Sequence, residues 1–160
     1  MPTVRKTRPR PFTPEEDFPA AAASLRYIES SALVAALLER DAEALAALRE
    51  IGQRVTSALT FAEAMRALLR ARQSRRIGAQ TERSGLRHLG KLQGGCVIVA
   101  VSDEILARAA RPFPIEPVRT LDAIHLATLE SLGESPQLVT VVTRDDRIAR
   151  NARALGYAVA

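Results

Sequence analysis

Five carboxylates set the chemistry this chain can do. Glu29 ends the apolar stretch Leu25-Arg26-Tyr27-Ile28 and is followed at once by Ser30 and Ser31. Asp145 and Asp146 follow a second apolar run, Leu138 to Thr143. Glu63 and Asp122 each fall where the first turn of a helix is expected. Carboxylates brought together repel one another, and a cation must offset them. The chain offers only two histidines, His88 and His125, and one cysteine, Cys96. The fitting cation is therefore a hard, oxygen-preferring one, Mg²⁺ or Mn²⁺. Such an ion activates water and stabilises charge on a phosphoryl group, so phosphodiester hydrolysis is the chemistry these acids suit.

The elements that must position them follow from periodicity and punctuation. Leu25 to Ile28 reads as a strand, with Ser30 or Ser31 capping a helix through Leu38. A helix over 41–51 carries Ala44, Leu45, Leu48 and Ile51 on one face and stops at Gly52. Arg54 to Ser57 is a second strand, and long helices are expected over 60–75 and 81–92. Cys96 to Val101 is apolar and β-branched, which predicts a strand covered on both faces. Helices over 102–111, 120–132 and 145–155 alternate with a buried strand at 138–143 and a terminal one at 157–159. Strands separated by helices imply parallel crossovers, hence an α/β fold of three layers, α/β/α, around a parallel sheet of about five strands. Ligands of open parallel sheets bind beyond the carboxyl ends of the strands, where the strand order reverses. The acids fall at that rim.

Each acid except one has a structural alternative. Thr60 and Glu63 fit a capping box. Thr120 is a candidate cap with Asp122 favoured by the helix dipole. Asp145 or Asp146 is a candidate N-cap. Glu29 has no such explanation, because acids are depleted in strands and the serines after it can cap unaided.

Composition bounds the partners. The net charge is +5 over 160 residues, which suits a polyanion. Nearly all the basic residues are Arg, and Ala is abundant, a pattern GC-rich coding also produces. Aromatic residues are 4%, too few to bind single strands mainly by stacking. One cysteine excludes an internal disulfide framework and a Cys-rich zinc site. No apolar run reaches the roughly 20 residues of a membrane span, and the basic start lacks a signal peptide's apolar stretch, so the expected location is the cytoplasm without membrane contact. Residues 1–24, with Pro2, Pro9, Pro11, Pro14 and Pro19, read as a basic, proline-rich tail, and 25–160 as the folded domain.

The runs Tyr27-Ile28-Glu29-Ser30-Ser31-Ala32-Leu33-Val34, Thr56-Ser57-Ala58-Leu59-Thr60-Phe61-Ala62-Glu63, Arg119-Thr120-Leu121-Asp122-Ala123-Ile124-His125-Leu126-Ala127 and Val142-Thr143-Arg144-Asp145 together resemble a PIN domain of the VapC toxin type. The third run is the most specific. The resemblance implies a Mg²⁺- or Mn²⁺-dependent endoribonuclease acting on RNA, neutralised by a cognate VapB-type antitoxin and commonly homodimeric. It implies that Glu29, Glu63, Asp122 and Asp145 are the catalytic and metal-binding quartet. Ser30 (or Ser31) and Thr143 would stand beside them, with Asp146 an auxiliary acid or cap. The family's first acid is normally Asp. Glu29 keeps the ligand type but displaces the carboxylate by about an ångström, a scale on which such sites lose rate. Two readings follow: a ribonuclease with an adapted site, or a PIN-like module that binds RNA or an antitoxin without cutting.

Other residues carry weaker signals. Arg66, Arg70, Arg72, Arg75 and Arg76 form a basic helical end. Arg66 and Arg70 lie nearest Glu63 by helical spacing and are candidate RNA contacts. His125, three residues after Asp122, reads as a structural hydrogen-bonding group or a substrate contact, and Cys96 as core. A receiver domain would need an acidic pair after the first strand and a late Lys, and a haloacid-dehalogenase phosphatase would need D-x-D. Glu29-Ser30-Ser31 satisfies neither.

Overall fold

Short, near-continuous apolar strands drive the architecture, because such strands need helices on both faces of their sheet. The computed structural model describes residues 24–160. The proline-rich segment assigned to a tail lies outside the described residues, apart from Ser24. The order is β1 (Leu25–Ile28), α1 (Ser30–Val34), a π-helical turn (Ala35–Glu39), α2 (Ala42–Arg49), β2 (Gln53–Ser57), α3 (Ala58–Gln73) and α4 (Ala79–Gly94). Then come β3 (Val97–Val99), α5 (Asp103–Ala109), α6 (Thr120–Glu130), a 3₁₀ turn (Pro136–Leu138), β4 (Val139–Val142), α7 (Asp146–Ala154) and β5 (Ala158–Val159). The five strands form one sheet in the order β3-β2-β1-β4-β5, and every pair is parallel. The strand order reverses between β1 and β4, which run in register from Leu25–Val139 to Ile28–Val142.

Adjacent residues of one strand feed opposite layers. Tyr27 and Val141 pack with Ile105, Leu126, Leu129 and Ile148 from α5, α6 and α7. Ile28 and Val142, their next neighbours, pack with Leu33, Leu48, Phe61, Leu68 and Leu89 from α1 to α4. Two glycines permit close approaches. A Cβ on Gly85 of α4 would stand 2.9 Å from Leu68 Cδ2, so its absence lets α4 lie against α3. Gly52 has φ +153°, and a Cβ there would come within 2.6 Å of the Ser24 carbonyl oxygen.

Three expectations about elements are corrected. The helix expected to reach Ile51 ends at Arg49, and Ile51 is 97% exposed rather than on the apolar face. The long helix begins at Ala58 rather than Thr60, because the Ser57 hydroxyl caps it by accepting from Leu59 N–H. The run from Cys96 forms only the short β3, with Val97 50% and Ile98 40% exposed. It is an edge strand paired on one side by β2, so its apolar composition does not mark burial on both faces.

Candidate functional site

Glu29 leaves the end of β1 at the strand reversal, held there by its N–H to the Val142 carbonyl, 3.0 Å. The sequence left its role unexplained, and the structure supplies one. Glu29, not Ser30 or Ser31, is the N-cap of α1. Its carboxylate accepts from Ser31 N–H at 3.0 Å, Ser30 Oγ at 2.7 Å, Thr143 Oγ1 at 2.8 Å and Ser31 Oγ. Glu29 is 3% exposed, so all four donors act where water does not compete.

Thr143 and Ser31 extend this knot to the other side of the reversal. Asp145 N–H donates to Thr143 Oγ1 at 3.1 Å, and Arg144 N–H to Ser31 Oγ at 2.7 Å. Asp145 is the N-cap of α7: its Oδ1 accepts from the N–H groups of Arg147 and Ile148. Asp146 is the first helical residue behind it. The structural reading of Asp145 as a cap is thus correct, and it stands one hydroxyl away from Glu29.

Glu63 and Asp122 arrive from α3 and α6. The capping box expected for Glu63 does not form. Thr60 Oγ1 is instead buried against Thr56 Oγ1, at 2.8 Å, and Glu63 points to His125, whose Nε2 lies 2.7 Å from Oε2. One oxygen each of Glu29 and Glu63 and a ring nitrogen of His125 fall within 4.8 Å of one another. Burial pushes the Glu63 carboxyl up, but the bond and charge of His125, with help from Ser30 and Arg70, outweigh it and leave the group below its ordinary range. Thr120 does not cap α6; Arg119 occupies the cap position without a side-chain bond.

Asp122 behaves oppositely. Burial first, then the charges of Asp145 and Glu29, raise its carboxyl above the ordinary range, against Arg119 and Arg147. Three of the four predicted acids therefore share one field at Asp122, and Glu63 joins through Glu29. Asp122 Oδ2 is buried with no hydrogen-bond partner. A buried acceptor without a donor, set among like charges, is chemistry that suits a cation, and the groups around it are almost all oxygen donors. The residues present therefore fit a hard divalent ion.

His125 is 1% exposed, with Tyr27 Oη 3.1 Å from Nδ1 and Glu29 Oε1 3.8 Å from Nε2. Burial, then the Glu29 charge, holds the Tyr27 hydroxyl far above its usual range, so it stays protonated. Arg66 and Arg70 are exposed on α3 and line a cavity of about 300 Å³ with Leu59, Ala62, Glu63 and Leu121. Sequence reasoning missed Tyr27, Arg119 and Arg147. Tyr27 was available from period two, which puts it on the same strand face as Glu29.

The PIN domain profile matches residues 26–154. The chain belongs to the PIN-domain family, in its VapC branch. Ribonuclease VapC46 of Mycobacterium tuberculosis is 42% identical over 135 residues, spanning 83% of this chain and 94% of that protein. Ribonuclease VapC35 of the same species is 34% identical over 137 residues, spanning 83% and 93%. Among solved structures, a toxin–antitoxin complex from Klebsiella pneumoniae superposes with a TM-score of 0.53 at 20% identity, covering 78% of this chain and 89% of that one. Among the described residues, no helix is long and apolar enough to cross a membrane.

Proposed function

We propose that this protein is a metal-dependent endoribonuclease, the toxin of a VapBC-type toxin–antitoxin module in the cytoplasm. The observation that carries the reading is the buried, unpartnered Asp122 Oδ2 in the field of Asp145 and Glu29. Its relatives named Ribonuclease VapC46 and VapC35 support the reaction class. The Klebsiella toxin–antitoxin complex supports an antitoxin as partner; its VapB type follows from the family resemblance, and a homodimer is the expected assembly.

Glu29, Asp122 and Asp145 would hold a Mg²⁺ or Mn²⁺ ion, and Glu63 would position it or a second one. Bound there, the ion would supply Lewis-acid chemistry at the RNA phosphodiester, that is, activation of a water and stabilisation of the leaving oxygen. The protein's own residues do the rest. Ser30, Ser31 and Thr143 fix the Glu29 carboxylate so that it needs no reorganisation during the reaction. Asp146 adds charge at the start of α7. Arg66 and Arg70 contact the RNA backbone from the α3 side, while Arg119 and Arg147 offset the acids at Asp122.

A second reading is favoured by the four bonds that Glu29 already accepts from its own chain. With its oxygens so occupied, the module would bind RNA or antitoxin without cutting. Cleavage of a cellular RNA pool by purified protein in Mn²⁺ separates the two. Wild type should cut, and Asp122→Asn should fall by at least about 100-fold, as expected when a charge is removed from a unit that acts together. Glu29→Asp raises cleavage if Glu29 is an impairment and lowers it if Glu29 is an adapted ligand. Wild type and Glu29→Asp both no faster than Asp122→Asn would establish the binding module.

A further inference from the structure

We infer that Arg147 and Arg150 of α7, with Arg144 beside them, form a second site for the RNA backbone, one that holds a phosphate flanking the phosphate to be cleaved. The inference rests on the nuclease reading above, which makes RNA the ligand and Asp145 a metal-site residue. It adds a contact in the helix layer opposite to that of Arg66 and Arg70.

The chain beyond β4 lines a cavity of about 400 Å³ with Arg144, Asp145, Asp146, Arg147 and Arg150. Every lining residue is charged, so the cavity offers no apolar side chain against which a base could be buried. Asp145 Oδ1 already accepts from the N–H groups of Arg147 and Ile148. Those helix N–H groups are spent, and an anion in the cavity would be held by guanidinium side chains. Arg144 is anchored: its Nε lies 3.5 Å from Asp41 Oδ2, its Nη2 4.0 Å from Glu43 Oε2, and its Nη1 donates to the Thr143 carbonyl at 3.2 Å. Asp41 is itself fixed, because its Oδ1 caps α2 by accepting from Glu43 N–H and Ala44 N–H. Arg144 is thus a fixed wall whose charge is partly offset. Arg147 and Arg150 lie three apart on α7 and share a helix face. Among the described residues neither is in an ion pair, and Arg150 Nε donates to the Asp146 carbonyl at 3.3 Å. Two guanidiniums without an acid to hold them can close on a phosphate, each presenting a fork of donors that matches its oxygens.

Position identifies the anion. Asp145 lines the cavity and belongs to the acidic quartet, so the cavity adjoins the place where the scissile phosphate would sit. α7 packs on the sheet face of Tyr27 and Val141, and α3 on the face of Ile28 and Val142. The acids stand at the strand ends between these two layers. An RNA strand that touches Arg66 and Arg70 over α3 and presents a phosphodiester to the acids runs on toward α7, where its next phosphates meet Arg147 and Arg150. The two ends of that path differ in chemistry. The α3 cavity has Leu59, Ala62 and Leu121 beside its arginines, whereas the α7 cavity has no apolar member. The α7 contact is therefore to the backbone and carries no sequence information. An acidic partner protein would meet the same charges, but tight protein contacts centre on a buried aromatic or apolar anchor, for which this cavity has no counterpart.

The test uses the full-length protein in EDTA, so that no RNA is cut, with fluorescently labelled single-stranded RNAs of several unrelated sequences. Binding is followed by anisotropy from low salt upward. Arg150→Ala should weaken binding about 5-fold, the loss of one charge-assisted contact. It should also reduce the slope of log K against log salt by about 0.7, the counterion release of one contact on a single strand. The loss should be the same for every sequence. Arg150→Lys keeps the point charge and should recover most of it. Arg87→Ala removes the same charge from an exposed position on α4 and should change affinity by less than about 2-fold. Equal losses in Arg87→Ala and Arg150→Ala would reduce the effect to net charge and overturn the site. An unchanged slope in Arg150→Ala, no rescue by Lys, a loss that depends on sequence, or a wild type that binds none of the RNAs would overturn it as well. Arg150 is exposed, so its replacement leaves the core untouched, and the test does not depend on the folding of an Arg147 variant. In Mn²⁺, Arg150→Ala should raise KM for cleavage and leave kcat nearly unchanged, because the contact is made equally before and during the reaction. A fall in kcat at unchanged KM overturns the inference. A wild type that binds but does not cut removes the nuclease reading, and the EDTA measurement still decides the phosphate site. A wild type that cuts, with Arg150→Ala matching it in binding and cleavage, removes this site alone.

Discussion

The β1–β4 junction and the β3 edge are built from similar residues and do opposite things. Val139-Thr140-Val141-Val142 and Val97-Ile98-Val99 are both short, β-branched parallel strands. Val141 and Val142 are fully buried, each feeding a different core layer, whereas Val97 and Ile98 are among the most exposed large apolar side chains of the fold. The difference is neighbours. β4 has β1 on one side and β5 on the other, while β3 has only β2. Central position also creates chemistry. The reversal of strand order opens a crevice at the carboxyl ends of β1 and β4, and there Glu29, Thr143 and Asp145 are tied together. The edge has no such crevice, and no acid of the quartet stands on it.

Metal gives the largest expected contrast between these regions. At a free concentration of about 100 times its dissociation constant, Mn²⁺ should stabilise the fold by about 2.7 kcal/mol. Hydrogen exchange should slow at Glu29–Ala32 and Thr143–Ile148, with little change at Val97–Val99. A melting curve that saturating Mn²⁺ leaves in place would break the assignment of the junction as the metal centre. Uniform protection of both regions would show that the ion acts on the whole fold and not through the acids.

A smaller effect is expected from packing alone. Val141→Ala should cost about 2 kcal/mol by denaturant unfolding, the transfer and cavity terms of a fully buried side chain. Val97→Ala should cost less than about 0.5 kcal/mol, as a substitution on an exposed surface does. Equal losses would mean that β3 is covered in solution, by a second copy or another partner, and would erase the contrast.

The contrast also explains what was legible beforehand. Parallel strands, layer count and the acid-bearing rim follow from local pattern, because periodicity of two and 3.6 and the Gly stops are local properties. Which strand sits at the edge is not local. Cys96–Val101 carries the pattern of a central strand, yet only Val97–Val99 pair, on one side, and Val97 and Ile98 are left exposed. At the site, residue types and chain positions pointed to Glu29, Glu63, Asp122 and Asp145. Their hydrogen-bond partners did not follow. Glu63 meets His125 across 62 positions and Tyr27 meets it across 98, distances that no spacing rule reaches. Glu29 as a cap was hidden for a different reason. Ser30 and Ser31 are better N-cap residues by type, and only the geometry shows them donating to Glu29 instead.

The smallest effect lies in pH, and its sign discriminates between the acids. Asp122, raised by burial and then by Asp145 and Glu29, binds its proton more tightly folded than unfolded. Its contribution to stability is therefore fully present below the unfolded aspartate range and is lost as pH rises through the raised folded value. Glu63, held low mainly by His125 against burial, works the other way: its contribution is present above the unfolded glutamate range and is lost as pH falls through the lowered value. The melting temperature of Asp122→Asn minus that of wild type, both metal-free, should accordingly grow as pH rises from the ordinary aspartate range upward, because only wild type acquires the repelling charge. Saturating Mn²⁺ should reverse the sign of that difference, since the ion now rewards the charge it meets. The same pair of curves for Val97→Ala should be flat in pH and indifferent to Mn²⁺. A difference for Asp122→Asn that is equally flat would mean that Asp122 does not share the field of Asp145 and Glu29, and the junction would then be an ordinary pair of helix caps.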